Sequence, residues 1–222
     1  MGIAADRSAW VEHLLAVSEP VLARTPAVAR ASDADARAWI AEFTDERGNR
    51  RRTDAPLLAR LAGVSPGSLP ETLDAEERLW WGEPIAAIPG LADADVGPAP
   101  LLDEGPSVAT IETRTESELT ALHALWNRRA ELPGFAERCL DAARWHIAEL
   151  QPDNATGLPW ATHVFVELAL RADDPNEQAG ALFHAEGLVH AASVVLGRPG
   201  VRAACILLDA ARGLAEAGRD TP

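Results

Sequence analysis

The second half of the chain is divided into helix-length apolar segments by four short breaks. Each break combines residues that end one helix with residues that begin the next, since Pro and Gly do not continue a helix and Asp or Pro suits its first turn. The breaks lie at residues 133–134, 151–158, 174–175 and 197–199. Helices joined by loops of about three to eight residues must lie as successive antiparallel neighbours. The pattern predicts a core of helical hairpins over residues 115–222.

The composition also favours helices over strands. Hydrophobic residues make up 47% of the chain, but Tyr is absent and Phe occurs only four times, so helix formers outweigh the aromatic residues that strands prefer. We predict an all-α fold class, with antiparallel helical hairpins that form a bundle or a partial α/α toroid. We also expect a long Pro/Gly-rich loop and at most one short strand.

The first half of the chain is less regular. Its apolar spacing predicts helices at about 6–24, 32–43, 55–62 and 75–81. Pro and Gly then become frequent, and Ser107–Thr113 is the one strand candidate. The predicted organisation is an N-terminal helical segment over 1–82, a Pro/Gly-rich loop or arm over 83–114 and the helical-hairpin core over 115–222, all packed as one compact unit.

Several helix starts can be read from capping residues. Ser32 and Asp174 are good N-cap residues, and Asp74 has Glu77 three positions later, which is the spacing of a capping box. Thr115 and Glu118 have the same spacing, and Pro159 suits the first turn of a helix that runs to Arg171.

The long helices and the Gln-Pro-Asp-Asn stretch at 151–154 resemble the helical-hairpin repeats of α/α toroids, as in some glycosidases and terpene cyclases. The likeness is architectural and covers residues 115 to 217 at most. The chain lacks the repeated Gln-Asp-Gly-Ser-Trp type of motif, so no catalytic residue is carried over from it.

Charge excludes several classes of function. The chain has 20 basic residues, all of them Arg, against 34 acidic residues, for a net charge of −14. Such a chain repels nucleic acid and anionic membrane, so we expect neither as a partner. The absence of Lys excludes a Schiff-base lysine and a P-loop lysine.

One basic cluster interrupts this acidic chain. Arg47, Arg50, Arg51 and Arg52 lie within six residues after the second predicted helix. The cluster could hold a phosphate or a carboxylate. The alternative is a solvated loop that pairs with the acidic surface.

Two features predict a cytoplasmic protein. Cys139 and Cys205 lie among helical residues, so we expect free buried thiols and a reducing compartment. The N-terminal residues include charges and no apolar segment of the kind found in a signal peptide, and no apolar run approaches about 18 residues.

Two predicted helices carry paired metal-binding residue types. His163 and Glu167 are four residues apart on one helix, and Glu186 and His190 are four apart on the next. Side chains four apart lie on one helix face, so facing pairs could supply two imidazoles and two carboxylates to a divalent metal such as zinc. Glu167 or Glu186 would then act as a general base in a hydrolase or lyase. No strong signature such as HEXXH supports the site, and ordinary surface pairs are the alternative.

The break at 151–158 is the predicted binding cleft, because loops on a rigid helical scaffold often carry function. Asp153 is the candidate acid or base there, and the candidate ligand-binding residues are His146, Asn154 and Trp160. Turn formation explains Asp153 and Asn154 equally well, and helix packing explains His146.

Two functions remain open from the sequence. The first is a soluble, non-catalytic helical domain that binds a small ligand or a protein partner through the cleft around 151–158. The alternative is a metal-dependent hydrolase or lyase that uses the His163/Glu167 and Glu186/His190 pairs. Homo-oligomer formation stays open in both.

Overall fold

The computed structural model describes residues 3–89, 91, 97–102, 110–131, 134–150 and 157–218. Within these ranges the chain forms nine α-helices and no strand, and an isolated antiparallel bridge pairs Leu91 with Leu102. The predicted all-α class is confirmed. The helices are α1 (Arg7–Leu22), α2 (Asp33–Glu42), α3 (Asp54–Ala62), α4 (Ala75–Trp80), α5 (Ile111–Asn127), α6 (Phe135–Glu149), α7 (Thr162–Arg171), α8 (Pro175–Val194) and α9 (Val201–Ala217).

Three predicted caps are present. The Ser32 side chain accepts the backbone N–H of Asp35 in a reciprocal capping box at α2, and Asp74 and Glu77 form another at α4. At α8 the Asp174 carboxylate accepts the N–H of Asn176, which follows Pro175 in the first turn. These bonds satisfy backbone donors that have no partner within the helix itself.

Two helices begin elsewhere than predicted. The N-cap of α5 is Thr110, not Thr115, so residues 111–113 of the strand candidate are helical, while residues 107–109 lie outside the described ranges. Helix α7 begins at Thr162 rather than at Pro159, because Ala161 has a left-handed backbone with φ of 59°. A left-handed residue cannot continue a right-handed helix.

The core is organised around α7 and α9. Eight of the ten residues of α7 are buried, as are 13 of the 17 residues of α9. Helices α5, α6, α7 and α8 contact one another in chain order, but the main partners of α9 are α1, α3 and α7. The expectation that α9 would simply follow α8 as its antiparallel neighbour is therefore wrong. A helix that is apolar on several sides needs partners on several sides.

The N-terminal helices share this core. α1 runs along α9, and Trp10 and Leu14 of α1 belong to the same cluster of buried side chains as Phe165 of α7 and Leu207 of α9. The predicted buried free thiols are confirmed at Cys139 and Cys205. No helix among the described residues is both long enough and apolar enough to span a membrane.

The described part of the Pro/Gly-rich loop is attached to α5 and α6. The buried Glu118 carboxylate accepts the backbone N–H groups of Leu101 and Leu102, each at 2.8 Å. Arg138 of α6 donates to the carbonyl oxygens of Ala99 and Pro100. Two buried charged side chains thus satisfy a segment that has no regular structure of its own.

Candidate functional site

The first predicted pair, His163 and Glu167, is buried, and Glu167 already forms an ion pair. His163 and Glu167 are both 0% exposed. The Glu167 carboxylate accepts two hydrogen bonds from Arg7, at 2.9 Å from Nε and 3.0 Å from Nη2, and Arg171 lies 3.7 Å away. Glu167 therefore contacts an arginine of α1, and both side chains of the pair lie in the core. Burying the carboxylate is tolerated because the guanidinium neutralises it.

The second predicted pair lies in a different environment. Glu186 is partly buried and its Oε1 accepts the backbone N–H of Ile3 at 2.7 Å, while His190 is exposed. Throughout the described residues, no group of three or more His, Cys, Asp or Glu side chains is arranged to hold a metal ion. The structure thus does not bring His163, Glu167, Glu186 and His190 together.

The four candidate residues near the 151–158 break do not form a common site among the described residues either. Asp153 and Asn154 lie outside the described residues. His146 and Trp160 are fully buried, and among the described residues neither the His146 ring nitrogens nor the Trp160 Nε1 has a hydrogen-bond partner. His146 packs against Trp145 and Phe165, so it is a core residue in this structure. Burial lowers the pKa of His146 to about 3.

A buried polar cluster that the sequence did not indicate lies beside α7. The Asp209 carboxylate accepts hydrogen bonds from His123 Nε2 at 3.0 Å, Asn127 Nδ2 at 2.7 Å and Arg60 Nε at 2.9 Å. The other ring nitrogen of His123 accepts the backbone N–H of Ala161 at 3.1 Å. His123 is therefore a neutral Nε2–H tautomer that connects Asp209 to the left-handed residue before α7.

Electrostatics agree with this assignment. Burial lowers the pKa of His123, partly offset by its hydrogen bond to Asp209. Burial alone would raise the pKa of Asp209, but the hydrogen bond from His123 and the positive charge of Arg60 hold that pKa below its usual range. Arg60, His123 and Asn127 all donate to Asp209, so the cluster holds α3, α5 and α9 together.

A surface groove has the clearest features of a ligand site. It has a volume of about 840 Å³ and lies between the loop that follows α2 and the loop that follows α3. We call it the arginine groove. Its lining combines four basic residues with six apolar or aromatic ones: Arg37, Arg50, Arg51 and Arg52, and Ile40, Ala41, Ala55, Pro66, Pro70 and Trp81. Ser65 and Ser68 also line it, and none of the described residues that line it is Asp or Glu.

The loop that carries Arg50, Arg51 and Arg52 is held in place by Arg202, in the first turn of α9. Arg202 is 4% exposed and donates to Asp45, to both oxygens of Asp54 and to the carbonyl oxygen of Asn49. Asp54 also accepts the backbone N–H of Arg51 at 2.6 Å. Burial alone would lower the pKa of Arg202, but its hydrogen bonds to Asp54 and the negative charges of Asp54 and Asp45 raise that pKa. The segment that carries the groove arginines is thereby preorganised.

A second anchor joins the same loop to α9. The Glu46 carboxylate accepts the backbone N–H of Val201, the first residue of the helix. Asp45 accepts the N–H groups of Arg47 and Asn49 at 3.0 and 2.8 Å and closes the turn between them. A carboxylate at a helix N-terminus is stabilised by the exposed N–H groups and the helix dipole.

The groove arginines keep donors for a ligand. Arg50 donates to the carbonyl oxygens of Ile40 and Ala41, at the end of α2. Arg51 pairs with Glu116, and Arg52 donates to Thr72 and lies 3.4 Å from Glu77. Arg37 lies 3.8 Å from the exposed Asp33. Because each guanidinium has five N–H groups, these bonds engage the arginines without exhausting them.

Two further cavities adjoin the groove at Arg51. One, of about 680 Å³, also contains Arg50, Arg52 and Gly157, and four Glu side chains line it. The other, of about 540 Å³, contains Arg51, Gly157 and residues at the end of α8. Gly157 belongs to the predicted cleft at 151–158. Residues 151–156 lie outside the described ranges, so only Gly157 and Leu158 can be compared with the groove; Arg51 lines the groove and both cavities.

The sequence indicated part of this groove. The predicted anion cluster consists of Arg47, Arg50, Arg51 and Arg52, four arginines within six residues; the last three line the groove and Arg47 is not among its lining residues. Arg37, Ser65 and Trp81 were not predicted, because they come from three other segments and no spacing rule connects them. No protein-family model, no curated protein and no solved structure matches this chain. The argument for function therefore rests on the geometry of the groove.

Proposed function

We propose that this protein is a binding domain for a small anionic ligand, which it holds in the arginine groove. The observation that carries the proposal is the charge of the groove wall. The chain has 34 carboxylates and 20 arginines, yet the described residues that line the groove include four arginines and no carboxylate. Such a local concentration of arginines on an acidic protein favours an anion that fits inside the groove.

The size of the groove and the overall charge favour a small ligand. Small-molecule sites commonly have volumes of about 300 to 1,000 Å³. A nucleic acid would extend beyond the groove over a surface whose net charge of −14 repels it. A compact anion meets mainly the local field of the arginines, because charges farther away than about 10 Å are screened by salt.

The ordered basic segment also favours binding. Asp45, Asp54 and Glu46 attach it to α9 through the contacts with Arg202 and Val201. A site that is already ordered loses less conformational entropy when a ligand binds.

Calorimetric titration with inorganic phosphate and, separately, with citrate tests the proposal. Both anions are expected to bind, whereas sodium chloride at equal ionic strength produces no binding heat. Arg37→Gln should weaken binding roughly tenfold, because a hydrogen bond to a charged group contributes about 1.5 to 3 kcal/mol. The matched control is Arg24→Gln, which removes the same charge at an exposed position that does not line the groove.

Two results would contradict the proposal. One is the absence of binding heat for both anions. The other is equal binding by wild type, Arg37→Gln and the double variant Arg37→Gln/Arg52→Gln, which would show that the anion binds elsewhere.

A further inference from the structure

We infer that the ligand of the arginine groove is an organic phosphate monoester whose ring lies against Trp81. The inference rests on the proposed function and specifies the class of ligand. Three observations support it: the mixed basic and apolar lining of the groove, the position of Trp81 and the number of separate donors.

The groove is too large and too apolar for a bare oxyanion. Six of its lining residues are apolar or aromatic. An inorganic anion in a groove of about 840 Å³ would leave these residues in contact with water. A ligand with an apolar ring attached to its anionic group covers both kinds of lining residue, and the buried apolar surface adds to its affinity.

Trp81 is positioned to receive that ring. Its Nε1 donates to the carbonyl oxygen of Arg52 at 3.1 Å, so the polar atom of the indole is satisfied and the side chain is held beside the basic segment. Trp81 is half-buried and lines the groove. A fixed aromatic ring next to guanidinium groups suits a ligand in which a planar ring and an anion are close together.

The donors favour phosphate over carboxylate. Arg37 comes from α2, the arginines at 50–52 come from the following loop, and the hydroxyls of Ser65 and Ser68 come from the loop after α3. A phosphate monoester has three terminal oxygens and a charge of about −1.5 to −2 at pH 7, so it accepts hydrogen bonds from several directions. A carboxylate has only two oxygens, both in one plane, and a smaller charge of −1, so it accepts hydrogen bonds from fewer directions.

Four probes separate the parts of the inference: phenyl phosphate, inorganic phosphate, benzoate and phenol, each titrated calorimetrically into the full chain. Phenyl phosphate is expected to bind about tenfold more tightly than inorganic phosphate, because the ring contributes at Trp81. Benzoate should bind more weakly than phenyl phosphate, and phenol should bind most weakly of the four.

Variants at Trp81 test whether its ring provides the tighter binding of phenyl phosphate. Trp81→Leu should abolish the tenfold advantage of phenyl phosphate while inorganic phosphate binds as before, which also shows that the groove is still folded. Trp81→Phe should retain most of the advantage. The matched control is Trp145→Leu, since Trp145 is also half-buried but does not line the groove.

The outcomes distinguish this inference from the proposed function. If inorganic phosphate binds but phenyl phosphate binds no more tightly, or if the advantage survives in Trp81→Leu, the ring contact is wrong and an anion site remains. Benzoate binding as tightly as phenyl phosphate would overturn the assignment to phosphate. If neither phosphate, citrate nor any of the probes binds, the proposed function itself fails.

Discussion

Several buried polar side chains of this protein have no partner among the described residues, and His146 is the clearest. Its ring is fully buried, and neither nitrogen is hydrogen-bonded. The ring stays neutral because a protonated imidazole would lose its hydration without compensation. In the sequence, His146 lies at the edge of an apolar helix face. Whether such a residue binds a ligand or packs in the core depends on the side chain that lies opposite it. Phe165 of α7 lies there.

His146 should make the fold sensitive to mild acid. Its pKa is lowered from 6.5 to about 3, so below pH 6.5 protons bind the unfolded chain in preference to the folded one. The stability present above pH 6.5 is lost as the pH falls toward 3, and between pH 7 and pH 5 the loss from this residue is about 2 kcal/mol. In His146→Leu that part of the loss should disappear.

Urea unfolding of wild type and His146→Leu at pH 7, 6 and 5 measures the difference. The control is His190→Leu, an exposed position on α8, which should follow the wild-type profile. An identical pH profile for wild type and His146→Leu would show that the imidazole is not buried in neutral form.

At the scale of helices, the structure shows which boundaries a sequence can specify. The starts of α2, α4 and α8 are set by local capping residues, and they could be read directly. The start of α7 depends on His123, which accepts the N–H of Ala161 from another helix, so no local pattern encodes it. The same distinction holds for the arginine groove. Its arginines at 50–52 could be predicted from the local sequence, whereas its residues from α2, the loop after α3 and the end of α4 could not.

The N-terminus of α9 offers a test of how the basic segment is held. A Cβ added at Gly200 would lie 2.6 Å from Glu46 Oε2, so Gly200→Ala should displace the carboxylate from the N–H of Val201. Loss of such a cap costs about 1 kcal/mol. The displaced loop should also bind inorganic phosphate more weakly, since it carries the groove arginines.

A double-mutant cycle with Glu46→Ala is the control. If the clash with Glu46 is the cause, Gly200→Ala should cost almost nothing further in the Glu46→Ala background, as measured by chemical unfolding. Equal costs in both backgrounds would mean that the methyl group meets another obstacle.

At the scale of the whole molecule, the packing of α1 against α9 could not be predicted from local sequence patterns. The sequence suggested a division into residues 1–82, 83–114 and 115–222 within one compact unit. Periodicity identifies the buried face of a helix but not its partner, and the partner of the first helix lies about 190 residues later in the chain. The Arg7 and Glu167 pair adds a second connection, from α1 to α7.

This connectivity predicts a single cooperative unfolding transition. Arg7→Met should leave Glu167 buried with only Arg171 nearby, at 3.7 Å, and removing one member of such a buried pair destabilises the fold. Because Arg7 is itself partly exposed, we expect the free energy of unfolding to fall by about 2 to 3 kcal/mol. For a chain of this size, such a loss lowers Tm by about 5 to 10 °C. The whole transition should shift together in circular dichroism and tryptophan fluorescence. Arg24→Met, at an exposed position just after α1, should leave Tm unchanged. A second transition that Arg7→Met does not move would instead mean that the N-terminal helices and the hairpin core unfold as separate domains.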